Sequence, residues 1–154
     1  MKTTTEYRIS SDTMMLEPAR QIDGGTIVHE VNRTFHVSQE PKDIIHANCY
    51  LGSSSYEGRV KAVRKFLMYL KRTPVLVYEK TGIITFPTHA SNHLNCHWIF
   101  PAHIRTFQKS PTKPGVTCLF MMNGQVLEVP VSEHTVSKQY YRTNHVLRFF
   151  ADGS

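Results

Sequence analysis

The chain has 154 residues, 40% hydrophobic and 19% charged, which is enough for one domain with a real core and too ordinary for a disordered or collagen-like chain. Its net charge of +6 is uneven: residues 55–110 hold nine Lys/Arg against two Asp/Glu, whereas residues 1–54 hold five against seven. No apolar run reaches the length of a membrane span and the polar N-terminus lacks a signal-peptide core, so a cytoplasmic protein is expected.

Strand signals come first along the chain. "TMMLEP" (13–18), then Gly24-Gly25, then "TIVHEV" (26–31) and "TFHV" (34–37) across Asn32-Arg33 read as short strands separated by turns.

The stretch "LGSSSYEGRVKAVRKFLMYLKR" (51–72) predicts an amphipathic helix from Ser54 to Arg72. Ser54 and Glu57 have capping-box spacing. Tyr56, Val60, Val63, Leu67 and Leu70 fall on one arc of about 80°. Lys61, Lys65 and Arg72 lie opposite that arc, Arg64 and Lys71 to one side and Arg59 to the other. Thr73-Pro74 sets the expected end, because the residue before a proline is pushed out of helical geometry. No acid falls between Arg59 and Arg72. Six cations without a counter-charge repel one another, and a polyanion relieves that repulsion. A solvated basic surface is the alternative.

Two hairpins follow. "PVLVYEKTGIITFP" (74–87) places two β-branched runs about a four-residue connection, Glu79–Gly82. "TCLFMMNGQVLEVPV" (117–131) centres on Asn123-Gly124, which predicts a type I′ turn. A second helix is expected from Ser132 to about Phe149. Val136, Tyr140, Thr143, Leu147 and Phe150 repeat at helical spacing, and Ser132 follows Pro130 as a candidate N-cap. Together these elements predict an α+β fold over residues 1–154, a single domain of mostly antiparallel hairpins with two amphipathic helices.

Candidate chemistry is sparse. The serine run lacks the Gly-Lys-Ser/Thr ending of a phosphate-binding loop and the second glycine of a nucleophile elbow. Ser53, Ser54 and Ser55 could seat one phosphate on free helix N–H groups, or they simply cap the helix. "FPTHASNHLNCHWIFPAH" holds His89, His93, Cys96, His97 and His103, but their spacing matches no common zinc module, so no metal and no cofactor is expected. Cys49, Cys96 and Cys118 are odd in number and show no CxxC pair, which predicts reduced thiols. Only Glu57 and Glu79 are acidic in the basic third, so carboxylate-held Mg²⁺ chemistry has no support and an enzyme is not expected.

"NCYLGSSSYEGR" (48–59), "FPTHASNHLNCHWI" (86–99) with His103, "YRT" (141–143) and "DTMMLEP" (12–18) resemble the ComK family of competence transcription factors of Gram-positive bacteria. The resemblance runs nearly end to end. Cys49, Cys96, Trp98 and His103 match its pattern, whereas His89, His93 and His97 do not. It implies an activator of competence genes that binds paired AT-rich boxes of double-stranded DNA, largely through the minor groove, as a homo-oligomer in the nucleoid. On that footing Arg59, Lys61, Arg64, Lys65, Lys71 and Arg72 are the expected DNA-binding residues. It also implies an adaptor–protease partner that uses a longer C-terminal tail, against which this chain stops at Ser154. The alternative class is an RNA- or single-strand-binding β protein that stacks bases on tyrosines such as Tyr140 and Tyr141.

Overall fold

The N-terminal strand signals form an antiparallel meander, as expected. The computed structural model describes residues 3–4, 6–20 and 24–152; Ser154, on which the expectation of a short C-terminal tail rests, lies outside them. Strand β1 (Thr3–Thr4) runs parallel to β4 (Thr34–Val37), while β2 (Thr13–Pro18), β3 (Thr26–Glu30) and β4 pair antiparallel in sequence. Helices α1 (Pro41–Leu51) and α2 (Tyr56–Leu67) follow. The hairpin β5 (Val75–Tyr78) and β6 (Ile83–Pro87) turns through Glu79–Gly82, as its sequence predicts. Strand β7 (Trp98–Ile99) then joins the two halves by pairing with β6 on one side and β2 on the other. The result is a seven-stranded sheet in the order β1-β4-β3-β2-β7-β6-β5. A second sheet of β8 (Ile104–Lys109), β9 (Thr117–Met121) and β10 (Val126–Val129) precedes the long helix α3 (Glu133–Asp152).

The large sheet buries both faces. Leu16, Val28, Val75, Val77 and Trp98 face α1 and α2, where they meet Ile44, Ile45, Cys49 and Val60. Met15, Phe86 and Ile99 face the small sheet and the start of α3, where they meet Ile104, Leu119, Met121 and Val136. Neighbours along a strand therefore divide between the two cores, as a pleat requires. A register shift between Thr13 and Met15 breaks this alternation and lets Met14 and Met15 enter the same core. Trp98 is fully buried at the centre, and truncating it would cost about 3–5 kcal/mol.

Three expectations need correction. The helix Pro41–Leu51 was not foreseen; it begins with proline in its first turn and buries Ile44, Ile45, Asn48 and Cys49. The basic helix ends at Leu67 rather than Arg72, because Met68 turns left-handed (φ 60°) and its N–H closes on the Arg64 carbonyl. Leu70, assigned to the apolar face, is 54% exposed. The Asn123-Gly124 turn is not type I′, since only Gly124 has positive φ (92°). Gly124 N–H donates to the Met121 carbonyl and Met121 N–H to the Gln125 carbonyl, which is a three-residue loop with glycine in its bulge. The final helix matches its expectation, with Ser132 Oγ accepting from Thr135 N–H at 3.2 Å.

Candidate nucleic-acid interface

The turn between α1 and α2 sets the geometry of the basic segment. A Cβ on Gly52 would come within 2.6 Å of the Val77 carbonyl, so glycine lets the end of α1 press against β5. The left-handed position falls on the next residue, Ser53 (φ 67°). Ser55, not Ser54, caps α2, accepting from Gly58 N–H at 2.9 Å. Ser55 thus takes the capping role weighed for this run.

The six expected cations fall into three settings. Arg59 folds back on the β5–β6 turn: its side chain is only 14% exposed, 3.6 Å from the Glu79 carboxylate, and donates to the Gly52 carbonyl. Lys61 and Lys65 stand on the solvent face of α2. Arg64, Lys71 and Arg72 line a cleft of 630 Å³ beside α2. Lys71 and Arg72 reach it from a non-helical segment, not from the helix. Arg72 is itself left-handed (φ 50°), so Met68 and Arg72 bracket a tightly bent strand of chain. Such non-glycine positions carry strain that surrounding contacts must hold.

Helix α3 supplies those contacts. Gln139, fully buried, donates through Nε2 to the carbonyls of Arg72 (2.8 Å) and Pro87 (3.0 Å). Arg142 donates to the Lys71 carbonyl at 3.0 Å. Burial presses the Arg142 guanidinium below its ordinary range, and the neighbouring Tyr69 pulls the other way. Tyr69 in turn meets His145 Nδ1 at 2.8 Å.

The opposite side of the cleft comes from Lys42 at the start of α1 and from His89, Ala90, Ser91, Asn92 and His93 after β6. No carboxylate lines the cleft among the described residues. From the sequence alone the histidines suggest only metal ligands, and nothing marks out Lys42. Nothing in their spacing could have gathered them, because three separate elements bring them together.

The remaining candidates are quickly placed. Tyr141 is exposed, but Tyr140 packs against Phe107 with ring centroids 5.9 Å apart, so the pair offers one free stacking surface. Cys49, Cys96 and Cys118 are free and buried, and burial raises the Cys49 and Cys96 thiols to about 11. Among the described residues no group of three His, Cys, Asp or Glu is arranged to hold a metal ion, and no helix is long and apolar enough to cross a membrane.

A family model described as ComK protein matches residues 4–153. A competence transcription factor of Bacillus subtilis (strain 168) is 28% identical over 148 residues, covering 95% of this chain and 76% of that protein. No solved structure matches the chain.

Proposed function

The chain belongs to the ComK family, and from that premise we propose that it is a competence transcription factor that grips duplex DNA with the basic face of α2 and the segment after it. One observation carries the reading. Arg64, Lys71 and Arg72 converge with Lys42 on a single cleft that has no carboxylate in its lining among the described residues. Concentrated like charge of that kind is unfavourable until phosphates enter and release their counterions. Lys61 and Lys65, on the adjoining exposed face, extend the same surface.

The preferred target in this reading is an AT-rich box. Minor grooves of A·T tracts are narrow and electronegative, and an arginine enters at lower desolvation cost than a lysine. Arg64 and Arg72 supply that preference and the lysines supply general affinity. Copies of the chain on paired boxes gain affinity through multivalency. The role needs no catalysis and places the protein in the cytoplasm, on the nucleoid.

The test compares an AT-box duplex, a GC-rich duplex of equal length, single-stranded DNA and RNA at one salt concentration. The AT-box duplex should bind tightest, with a steep loss of affinity as salt rises. Equal or tighter binding to single strands or RNA would overturn the reading.

A further inference from the structure

Half of the cleft lies outside the basic segment. Its second wall is built from Lys42 and from the loop that carries His89 and His93. The two imidazole rings stack with centroids 4.6 Å apart and planes 15° from parallel. Asn95 N–H donates to His93 Nδ1 at 2.9 Å, so the neutral ring keeps its proton on Nε2. His89 Nδ1 meets Thr88 Oγ1 at 2.8 Å. Both rings commit Nδ1 to their own loop and leave Nε2 available to a ligand. The loop is itself well held: Thr88 and His97 exchange bonds at its base, and His93 N–H closes a turn on the Ala90 carbonyl.

We propose that one phosphodiester of the bound nucleic acid sits in this cleft, gripped by Lys42, His89 and His93 from one side and by Arg64, Lys71 and Arg72 from the other. The inference rests on the DNA-binding reading above and extends the contact to a wall that the basic segment does not supply. Two stacked imidazoles facing arginines are a poor place for further positive charge while the cleft is empty. An oxyanion between the walls reverses that field and accepts hydrogen bonds from both rings.

The surroundings of the pair are mostly cationic. Lys42 stands beside it on the same wall, Tyr56, Arg64, Lys71 and Arg72 face it across the cleft, and Cys96 and His97 lie beneath. An adjoining groove, which Lys42 and His93 also line, carries Arg20, Glu40 and Asp43. Burial first, then His93, Arg72 and His97, holds His89 below its ordinary range. The free protein therefore keeps His89 neutral at physiological pH. A bound phosphate favours the protonated ring, so binding takes up protons and tightens as pH falls.

Fluorescence anisotropy of the full chain on a labelled AT-rich duplex, across pH and salt, tests this. Asparagine is the informative replacement, because its Oδ1 stands where Nδ1 stood and preserves the loop bonds while removing Nε2. Wild-type affinity should rise on the order of tenfold between about pH 8 and about pH 6. The His89→Asn/His93→Asn variant should lose that dependence. Lys42→Gln, a change at an exposed position, should lower the salt slope of log K by about 0.9. If the double variant keeps the wild-type pH dependence and Lys42→Gln the wild-type salt slope, the second wall is not in contact. In that case loss of binding in Arg64→Gln/Lys71→Gln/Arg72→Gln would still uphold the DNA reading. Wild-type protein that binds no duplex at low salt would remove both.

Discussion

The Arg142 guanidinium lies 4.4 Å from the centre of the Tyr69 ring, so helix α3 clasps the segment that follows α2. The clasp is completed by Arg142 and Gln139 bonding to the carbonyls of Lys71 and Arg72. Two cations of the cleft are thus positioned by side chains about 70 residues downstream. Gln139→Ala removes the donor to the part-buried Arg72 carbonyl and the buried Pro87 carbonyl and should cost about 1–3 kcal/mol in urea unfolding. Arg142→Ala should cost less stability but weaken duplex binding. A double-mutant cycle separates positioning from direct contact: Arg142→Ala should have little further effect once Lys71 and Arg72 are already replaced. Additive losses would mean that Arg142 touches DNA itself.

The basic residues should divide by function when replaced singly. Lys61→Ala and Lys65→Ala should each lower the salt slope of log K by up to about 0.9 and weaken AT-rich and GC-rich duplexes alike. Arg64→Ala and Arg72→Ala should also narrow the preference for the AT-rich duplex. Arg59→Ala should leave the salt slope unchanged and cost about 1 kcal/mol of stability through its lost pairing with Glu79. Equal losses for arginine and lysine variants on both duplexes would make the surface a phosphate clamp without groove reading.

Asn48 ties α1 to two other parts of the fold, the segment before β2 and strand β5. Its side chain is fully buried, accepts from Ile9 N–H (2.8 Å) and the Tyr78 hydroxyl (2.6 Å), and donates to the carbonyls of Tyr7 (3.0 Å) and Ile44 (2.8 Å). Asn48→Leu strands several of these partners at once and should destabilise the protein by more than about 3 kcal/mol. Chemical unfolding monitored by circular dichroism reads this directly, and a loss under about 1 kcal/mol would show that the network is dispensable.

That same residue explains why α1 escaped the sequence reading. A buried polar side chain interrupts the apolar spacing of Ile44, Ile45 and Cys49, and the network that justifies it is tertiary. The strands at 13–18, 26–31 and 34–37 and the last helix were legible because their patterns are local and contiguous. The end of α2 was not. Met68 adopts a left-handed cap that favours glycine, and the force bending the chain there comes from Tyr69, Gln139 and Arg142. Lys71 and Arg72 were consequently named as candidates but set on the wrong element, and Lys42 could not be joined to them at all.

Mild acid should weaken the fold through two histidines. Burial, ahead of every other influence, holds His97 below its ordinary range, against the opposing pull of the Asn95 carbonyl and Glu17. His89 is lowered with burial as first cause as well. The folded protein keeps both rings neutral at pH values where the unfolded chain already binds protons. Their contribution is complete above about pH 6.5 and is lost as pH falls through the folded-state values. Urea midpoints should drop across that window, and His97→Asn should flatten the drop by about 1.4 kcal/mol per pH unit at most. A wild-type midpoint that does not move over this range would contradict the buried neutral assignment.

Among the described residues, the two halves of the large sheet pair where Met15 and Leu16 meet Ile99 and Trp98. The other antiparallel pairs of that sheet join neighbours in sequence through connections of about ten residues or fewer, and only β1–β4 is more distant. The central seam instead closes a loop of some 80 residues, which carries a larger entropic cost that is repaid only once both halves exist. The meander and the hairpins are therefore expected to form first and the seam last. The only tryptophan, Trp98, lies within it, so its fluorescence should report closure of the seam and lag behind the far-ultraviolet signal of the separate halves.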